Sequence, residues 1–197
     1  MANGTLKVSN IQTSSGSGTI TLGQSGETVT VPSGATLDMT NATMSLNSDM
    51  KNTPAFQVEL SANVTGITDN VSTKIPFDTI NFDTHNAFDT TNNRFVCPSN
   101  GEGKYLFSGF SRTDSITSNN LAQAKMHFYK NGAQEKLFYD LYNTNYLRAK
   151  HIAYSLMLDL VAGDYVELYR QDNLISGTTT LNSVQYSEFN GFRIIGA

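Results

Sequence analysis

The first 50 residues contain no Phe, Tyr or Trp, and all 20 aromatic residues of this 197-residue chain lie beyond them. Aromatic side chains supply much of the area that a core buries. A globular core can therefore form only after residue 50, and the chain divides into a segment 1–50 and a domain 51–197. The first segment is polar but nearly uncharged. Ser, Thr and Asn account for 21 of its 50 residues, and Lys7, Glu27, Asp38 and Asp49 are its only charges. Its apolar residues still follow a pattern, in the pairs Ile20/Leu22, Val29/Val31, Leu37/Met39 and Met44/Leu46. Each pair reads apolar–polar–apolar, the period of a half-buried strand. Turn residues separate them at Gly23-Gln24-Ser25-Gly26 and Pro32-Ser33-Gly34. Units this short cannot bury an apolar face alone and need neighbouring copies. The segment is expected to be a β-rich extended stalk that orders against partner chains. A flexible linker is the competing reading, and the Ser14-Ser15-Gly16-Ser17-Gly18 run fits it.

The remaining residues alternate apolar and polar in short runs rich in Phe, Tyr, Val and Leu. Strands are predicted at 55–60, 75–82, 94–96, 104–110, 124–130, 135–140, 151–160, 165–170 and 188–195. Turns punctuate them at Thr90-Thr91-Asn92-Asn93, Asn100-Gly101-Glu102-Gly103, Asn131-Gly132 and Ala162-Gly163-Asp164. Asn131-Gly132 between two aromatic strands predicts a type I′ hairpin, which needs positive φ at both positions. No start signal followed by a helical apolar period occurs. The expected fold is all-β, a sandwich or jelly roll.

Composition excludes several function classes. Net charge is −4 and the pI is near 5.3, against the basic face that nucleic-acid binding requires. Cys97 is the only cysteine, so no disulfide forms within the chain. No stretch reaches the roughly 18 apolar residues of a membrane helix, and no insertion is expected. Met1-Ala2-Asn3-Gly4-Thr5 lacks the basic and apolar regions of a signal peptide.

The order of motifs after residue 53 resembles the complement C1q-like globular domain, a relative of the tumour necrosis factor jelly roll. The run begins with Pro54-Ala55-Phe56, Ile75-Pro76-Phe77-Asp78 and Ala87-Phe88-Asp89. Arg94-Phe95-Val96-Cys97-Pro98, Gly103-Lys104-Tyr105-Leu106-Phe107 and Tyr129-Lys130-Asn131-Gly132 follow. Leu156-Met157-Leu158-Asp159-Leu160, Ala162-Gly163-Asp164-Tyr165-Val166-Glu167-Leu168 and Phe189-Asn190-Gly191-Phe192 complete it. The resemblance implies a C1q/TNF-type jelly-roll sandwich over 54–197, compact homotrimers, a recognition role at the end of a stalk, and calcium in some members. Phe56, Phe77, Phe95, Tyr105, Phe107, Phe189 and Phe192 are expected to face inward, and Cys97 to be a buried, inert thiol. Neither a collagen-like Gly-X-Y stalk nor a signal peptide is present, unlike vertebrate members. The opening 5–12 and the stretch 28–38 resemble instead the virion-attachment end of bacteriophage tail-fibre and appendage proteins.

Reactive groups do not converge in the sequence. His85, His127 and His151 have no metal-ligand spacing, and no nucleophile elbow or phosphate loop occurs. Asp78, Asp83 and Asp89 offer oxygen ligands for Ca²⁺, or else cap their own turns. Tyr139, Tyr142, Asn143, Asn145 and Tyr146 form a tyrosine-rich polar loop suited to a sugar or protein surface, or to packing at a trimer interface. Residues 113–120 and 172–183 read as further polar loops.

The function expected is that of a non-enzymatic virion protein, a bacteriophage tail fibre or appendage. Its trimeric knob recognises a host-surface glycan or protein, and residues 1–50 join it to other virion proteins. The alternatives are a capsid-decorating head fibre and a secreted C1q-like recognition module of a cellular organism. No cofactor is expected beyond the Ca²⁺ option.

Overall fold

A computed structural model describes residues 8–13, 18–45, 50–115, 119–139, 144–182 and 185–194. The chain divides into two units, Met1–Ser45 and Leu46–Ala197. Among the described residues of the first unit no strand forms. Its turns do form: Glu27 donates its N–H to the Gln24 carbonyl, Ala35 to Pro32 and Ala42 to Met39. Ile20, Leu22, Val29, Val31, Leu37 and Met44 are all exposed. Among the described residues the strand pairs predicted here form no ladder, which needs a paired neighbouring strand.

The second unit is a sandwich of two antiparallel sheets. The first sheet contains β1 (Ala55–Glu59), β2 (Val64–Thr68), β4 (Thr79–Asp83), β7 (Gly103–Asp114), β10 (Ala149–Leu160), β12 (Thr178–Leu181) and β13 (Ser187–Arg193). The second contains β3 (Thr73–Lys74), β5 (Phe88–Asp89), β6 (Arg94–Val96), β8 (Leu121–Lys130), β9 (Ala133–Tyr139) and β11 (Tyr165–Leu174). From β7 onward the chain passes repeatedly between sheets: β7 to β8–β9, back to β10, across to β11, and back to β12–β13. That alternation is a jelly-roll connection.

Every strand predicted beyond residue 50 has a counterpart, with two differences. The stretch 75–82 is not one strand. Ile75 to Asp78 lie outside any strand and bury Ile75 and Phe77, while β4 begins only at Thr79. The polar stretches expected to be loops also contain strand. β7 runs through Asp114, β11 through Leu174, and β12 occupies Thr178–Leu181. Ser111, Thr113 and Thr179 point into a polar interior, so the apolar alternation that marks a strand in sequence is missing.

Phe56 stacks on Phe95 with ring centroids 5.0 Å apart and meets Phe189 edge-on at 4.9 Å. Phe107, Phe128 and Tyr105 extend this cluster between the sheets. Two glycines on the inward parity make the space for it. An added Cβ on Gly191 would lie 2.6 Å from the Phe107 ring. One on Gly109 would lie 2.2 Å from the Glu188 carbonyl, and its φ of +152° is unfavourable for other residues. The vacancy at Gly109 admits Tyr154, whose hydroxyl donates to the Glu188 carbonyl at 2.8 Å. Burial pushes the Tyr154 phenol well above its ordinary pKa.

The Asn131-Gly132 turn has φ of 53° and 77°, as a type I′ hairpin requires. It is locked to the β10–β11 turn. Asn131 donates from Nδ2 to Asp164 at 2.7 Å, and Lys130 pairs with the other Asp164 oxygen at 2.9 Å. Cys97 is 1 % exposed and burial raises its thiol pKa, so it stays protonated.

Gly109→Ala is expected to destabilise the fold by about 3 kcal/mol or more, measured by urea unfolding. Cys97 is expected to react with a thiol reagent only in denaturant, measured by the time course of labelling.

Candidate recognition site

The outer face of the first sheet is the surface most unlike a solvated one. Side chains alternate along a strand, so with Phe189 inside, Phe192 three residues later must face out. Phe192 is 37 % exposed, a correction to its expected inward position. The other six aromatics expected inside are each at most 1 % exposed.

Strand register brings outward apolar side chains into one band. Phe192 lies opposite Leu106 of β7, which lies opposite Met157 of β10, 66 % exposed. Ala55 of β1 lies beside Phe192, and Gln57 opposite Phe82 of β4. Phe82 and Ile80 are exposed. Between them a groove of about 450 Å³ is lined by Asn52, Ala55, Gln57, Phe82, Asn190 and Phe192, with Phe56 and Gly191 also at its wall. A polar row borders the band, where Ser108 donates to the Asn190 amide oxygen at 2.5 Å and Asn190 donates to Glu188. Glu59 and Glu188, opposite each other across β1 and β13, add negative charge. Sequence reasoning missed this face because its residues lie on five strands that only pairing brings together. Strand parity within 189–192 was the available signal.

The three aspartates do not converge. Asp78 accepts from the Ser61 N–H at 2.8 Å and the Ser61 hydroxyl at 2.6 Å. Asp83 accepts from the His85 and Phe88 N–H groups at 3.2 and 2.7 Å. Asp89 accepts from the Thr91 and Asn92 N–H groups, both at 3.0 Å, and from the Asn92 amide at 2.6 Å. Among the described residues no three His, Cys, Asp or Glu side chains gather as metal ligands would.

At Asp78 and Asp89 these bonds favour the charged form. The Asn92 amide holds Asp89 below the ordinary carboxylate pKa. Burial opposes the same shift at Asp78 and Asp164, but the Ser61 donors and the Asn131, Val161 and Lys130 donors outweigh it.

Of the tyrosine-rich loop, Tyr142 and Asn143 lie outside the described residues. Tyr139 ends β9, Asn145 is exposed and Tyr146 half-buried. Leu147 bridges to Leu121, and Arg148 reaches the Asp114 carboxylate at 3.4 Å. Among the described residues no helix is long and apolar enough to cross a membrane.

Residues 55–194 match the family model of the C1q domain. The chain belongs to the C1q domain family. Among solved structures, the C1q fold here is similar to the globular domain of zebrafish complement 1qA protein. The two are 18 % identical over 72 % of this chain and 97 % of that one, with a TM-score of 0.50. It is likewise similar to murine APRIL, 8 % identical over 71 % of this chain and 98 % of that one, with a TM-score of 0.51. At such identities the likeness is one of fold. No curated protein matches the sequence.

The depressed carboxylates give a sign for acid stability. A carboxyl whose pKa is lower folded than unfolded stabilises the fold above the unfolded value of about 4, and that contribution is lost as pH falls through the folded value. The melting temperature is therefore expected to drop between pH 5 and pH 2. Asp164→Asn is expected to flatten that drop, measured by scanning calorimetry across the window.

Proposed function

We propose that this protein is a non-enzymatic recognition protein of a virus particle, a bacteriophage tail fibre or appendage with a homotrimeric C1q head. The exposed apolar band through Phe82, Phe192, Leu106 and Met157 carries the reading. Burying apolar area is worth about 25 cal/mol per Å², and this face leaves large side chains in water. A second copy of the chain is the occupant it fits. The face is contiguous with the free edge of β10, so a neighbour's edge can seat against it, and three such heterologous contacts close into a ring. Membership of the C1q family supports the same assembly.

Residues 1–50 join the head to other virion proteins. The exposed pairs Ile20/Leu22 and Val29/Val31 and the ready-made turns supply half of a β-ladder, and parallel copies in a trimer supply the rest. Three identical sites on one rigid head then bind a repeated host-surface ligand by avidity, each weak contact strengthened by effective concentration. A secreted C1q-like module is the second reading, favoured by the family match. Finding the chain by mass spectrometry in purified particles supports the first, and finding it only in culture medium supports the second.

Light scattering of the full chain is expected to give about three times the 21.5 kDa chain mass. Phe192→Asp combined with Met157→Asp is expected to give a folded monomer, with the melting transition retained. A chelator is expected to leave the trimer mass unchanged, because Asp83 and Asp89 are already held by their own turns and Asp78 by Ser61. Dissociation by chelator would instead assign calcium to the assembly.

A further inference from the structure

A second cleft of about 330 Å³, lined by residues with polar side chains, opens near the β2 edge of the first sheet. Asn63 and Thr65 come from β2 and the turn before it, Asp114 from the end of β7, and Arg148 from the tyrosine-rich loop. Thr180 of β12 and Asn182 just beyond complete it. Register sets the floor: Thr180 lies opposite Asp114, and the Asn182 N–H donates to the Arg112 carbonyl at 3.0 Å. Asp114 sits between two guanidiniums, Arg112 and Arg148, each 3.4 Å away.

One observation separates this cleft from an ordinary polar surface. Thr180 is 5 % exposed, and its hydroxyl has no hydrogen-bond partner. The Asn182 amide oxygen is also buried without one. Buried polar atoms are nearly always paired, and an unpaired one destabilises a fold. Valine would fill the Thr180 position without that cost.

We propose that this cleft binds one pyranose ring of a host-surface glycan, through a pair of adjacent hydroxyls. The inference rests on the recognition role proposed above and names its ligand site. A sugar hydroxyl both donates and accepts, which matches a wall of one carboxylate, one guanidinium, two amides and two hydroxyls. Asp114 accepts from the hydroxyl pair, Arg148 donates to a ring or hydroxyl oxygen, and Thr180 and Asn182 gain the partners they lack. A phosphate or other anion is disfavoured by the carboxylate in the wall. The volume lies at the small end of the ~300–1,000 Å³ typical of ligand sites, enough for a single ring.

The test uses the full-length protein and the methyl glycosides of glucose, galactose, mannose and N-acetylglucosamine, followed by saturation-transfer NMR. At least one is expected to bind at about millimolar strength. Thr180→Val and Asp114→Asn are expected to weaken it about tenfold or more. Thr180→Val is expected to melt no lower than the parent, since it removes an unpaired hydroxyl. Arg148→Ala, at a mostly exposed side chain, carries the test if Asp114→Asn fails to fold. Absence of binding by all four glycosides, or unchanged binding by the variants, overturns the proposal. A trimer that binds no glycoside refutes the cleft alone. A monomer whose glycoside binding is lost in these variants keeps the cleft and refutes the trimeric head.

Discussion

The contact between Phe56 and Phe189 is the one on which the sandwich depends. The two phenylalanines sit on neighbouring strands of one sheet and meet edge to face. Phe95, stacked on Phe56, and Phe128, set against Phe189, come from the other sheet. A sheet is stable only when one face is covered, and this cluster covers both at once. Close packing also dictates the glycines. Gly191 lies where the Phe107 and Phe56 rings leave no room for a Cβ, and Gly109 where Tyr154 must cross to β13. Small residues on the inward parity are therefore as much part of the core as the rings.

The interior is not apolar throughout. Arg170 and Asp172, each fully buried, form an ion pair at 2.9 Å. Arg170 also donates to the carbonyls of Ser111 on β7 and Lys150 on β10, and Thr179 donates to Asp172. This network stitches the second sheet to the first where aromatic packing has run out. Such a pair contributes little net energy against a hydrophobic replacement, but removing one partner leaves a buried charge and costs about 3–5 kcal/mol. Ser111, Thr113 and Ser187 surround this region with hydroxyls that have no partner. The sandwich thus has an aromatic part that holds it together and a polar part with hydrogen-bonding capacity in reserve. The apolar band on the outer face and the polar cleft give the molecule two chemically opposite surfaces. The first suits a further copy of the chain, the second a small polar ligand.

The sequence alone determined where a core is possible, because all its aromatic residues lie beyond residue 50. It determined the strand-rich class and the hairpin at Asn131-Gly132, since alternation and turn chemistry are local properties. The family pattern was legible because motifs such as Phe189-Asn190-Gly191-Phe192 combine ring and glycine requirements in a few residues. Strands β2 and β12 were not legible, since their polar side chains alternate nothing that hydropathy detects. The ion pair between Arg170 and Asp172 was also hidden, because charges two residues apart read as surface unless their burial is known.

Only the tertiary structure decided which residues meet. Phe192 faces outward because strand parity opposes it to Phe189, and the apolar band exists because pairing sets β4, β1, β13, β7 and β10 side by side. Asp114, Arg148 and Thr180 share a cleft although 66 positions separate the first from the last. Asp83 and Asp89 are each captured by their own turns, and Asp78 by Ser61, so three carboxylates close in sequence never meet. Local hydrogen bonds form over a few residues and can be read from them, whereas a surface is assembled from registers between distant strands.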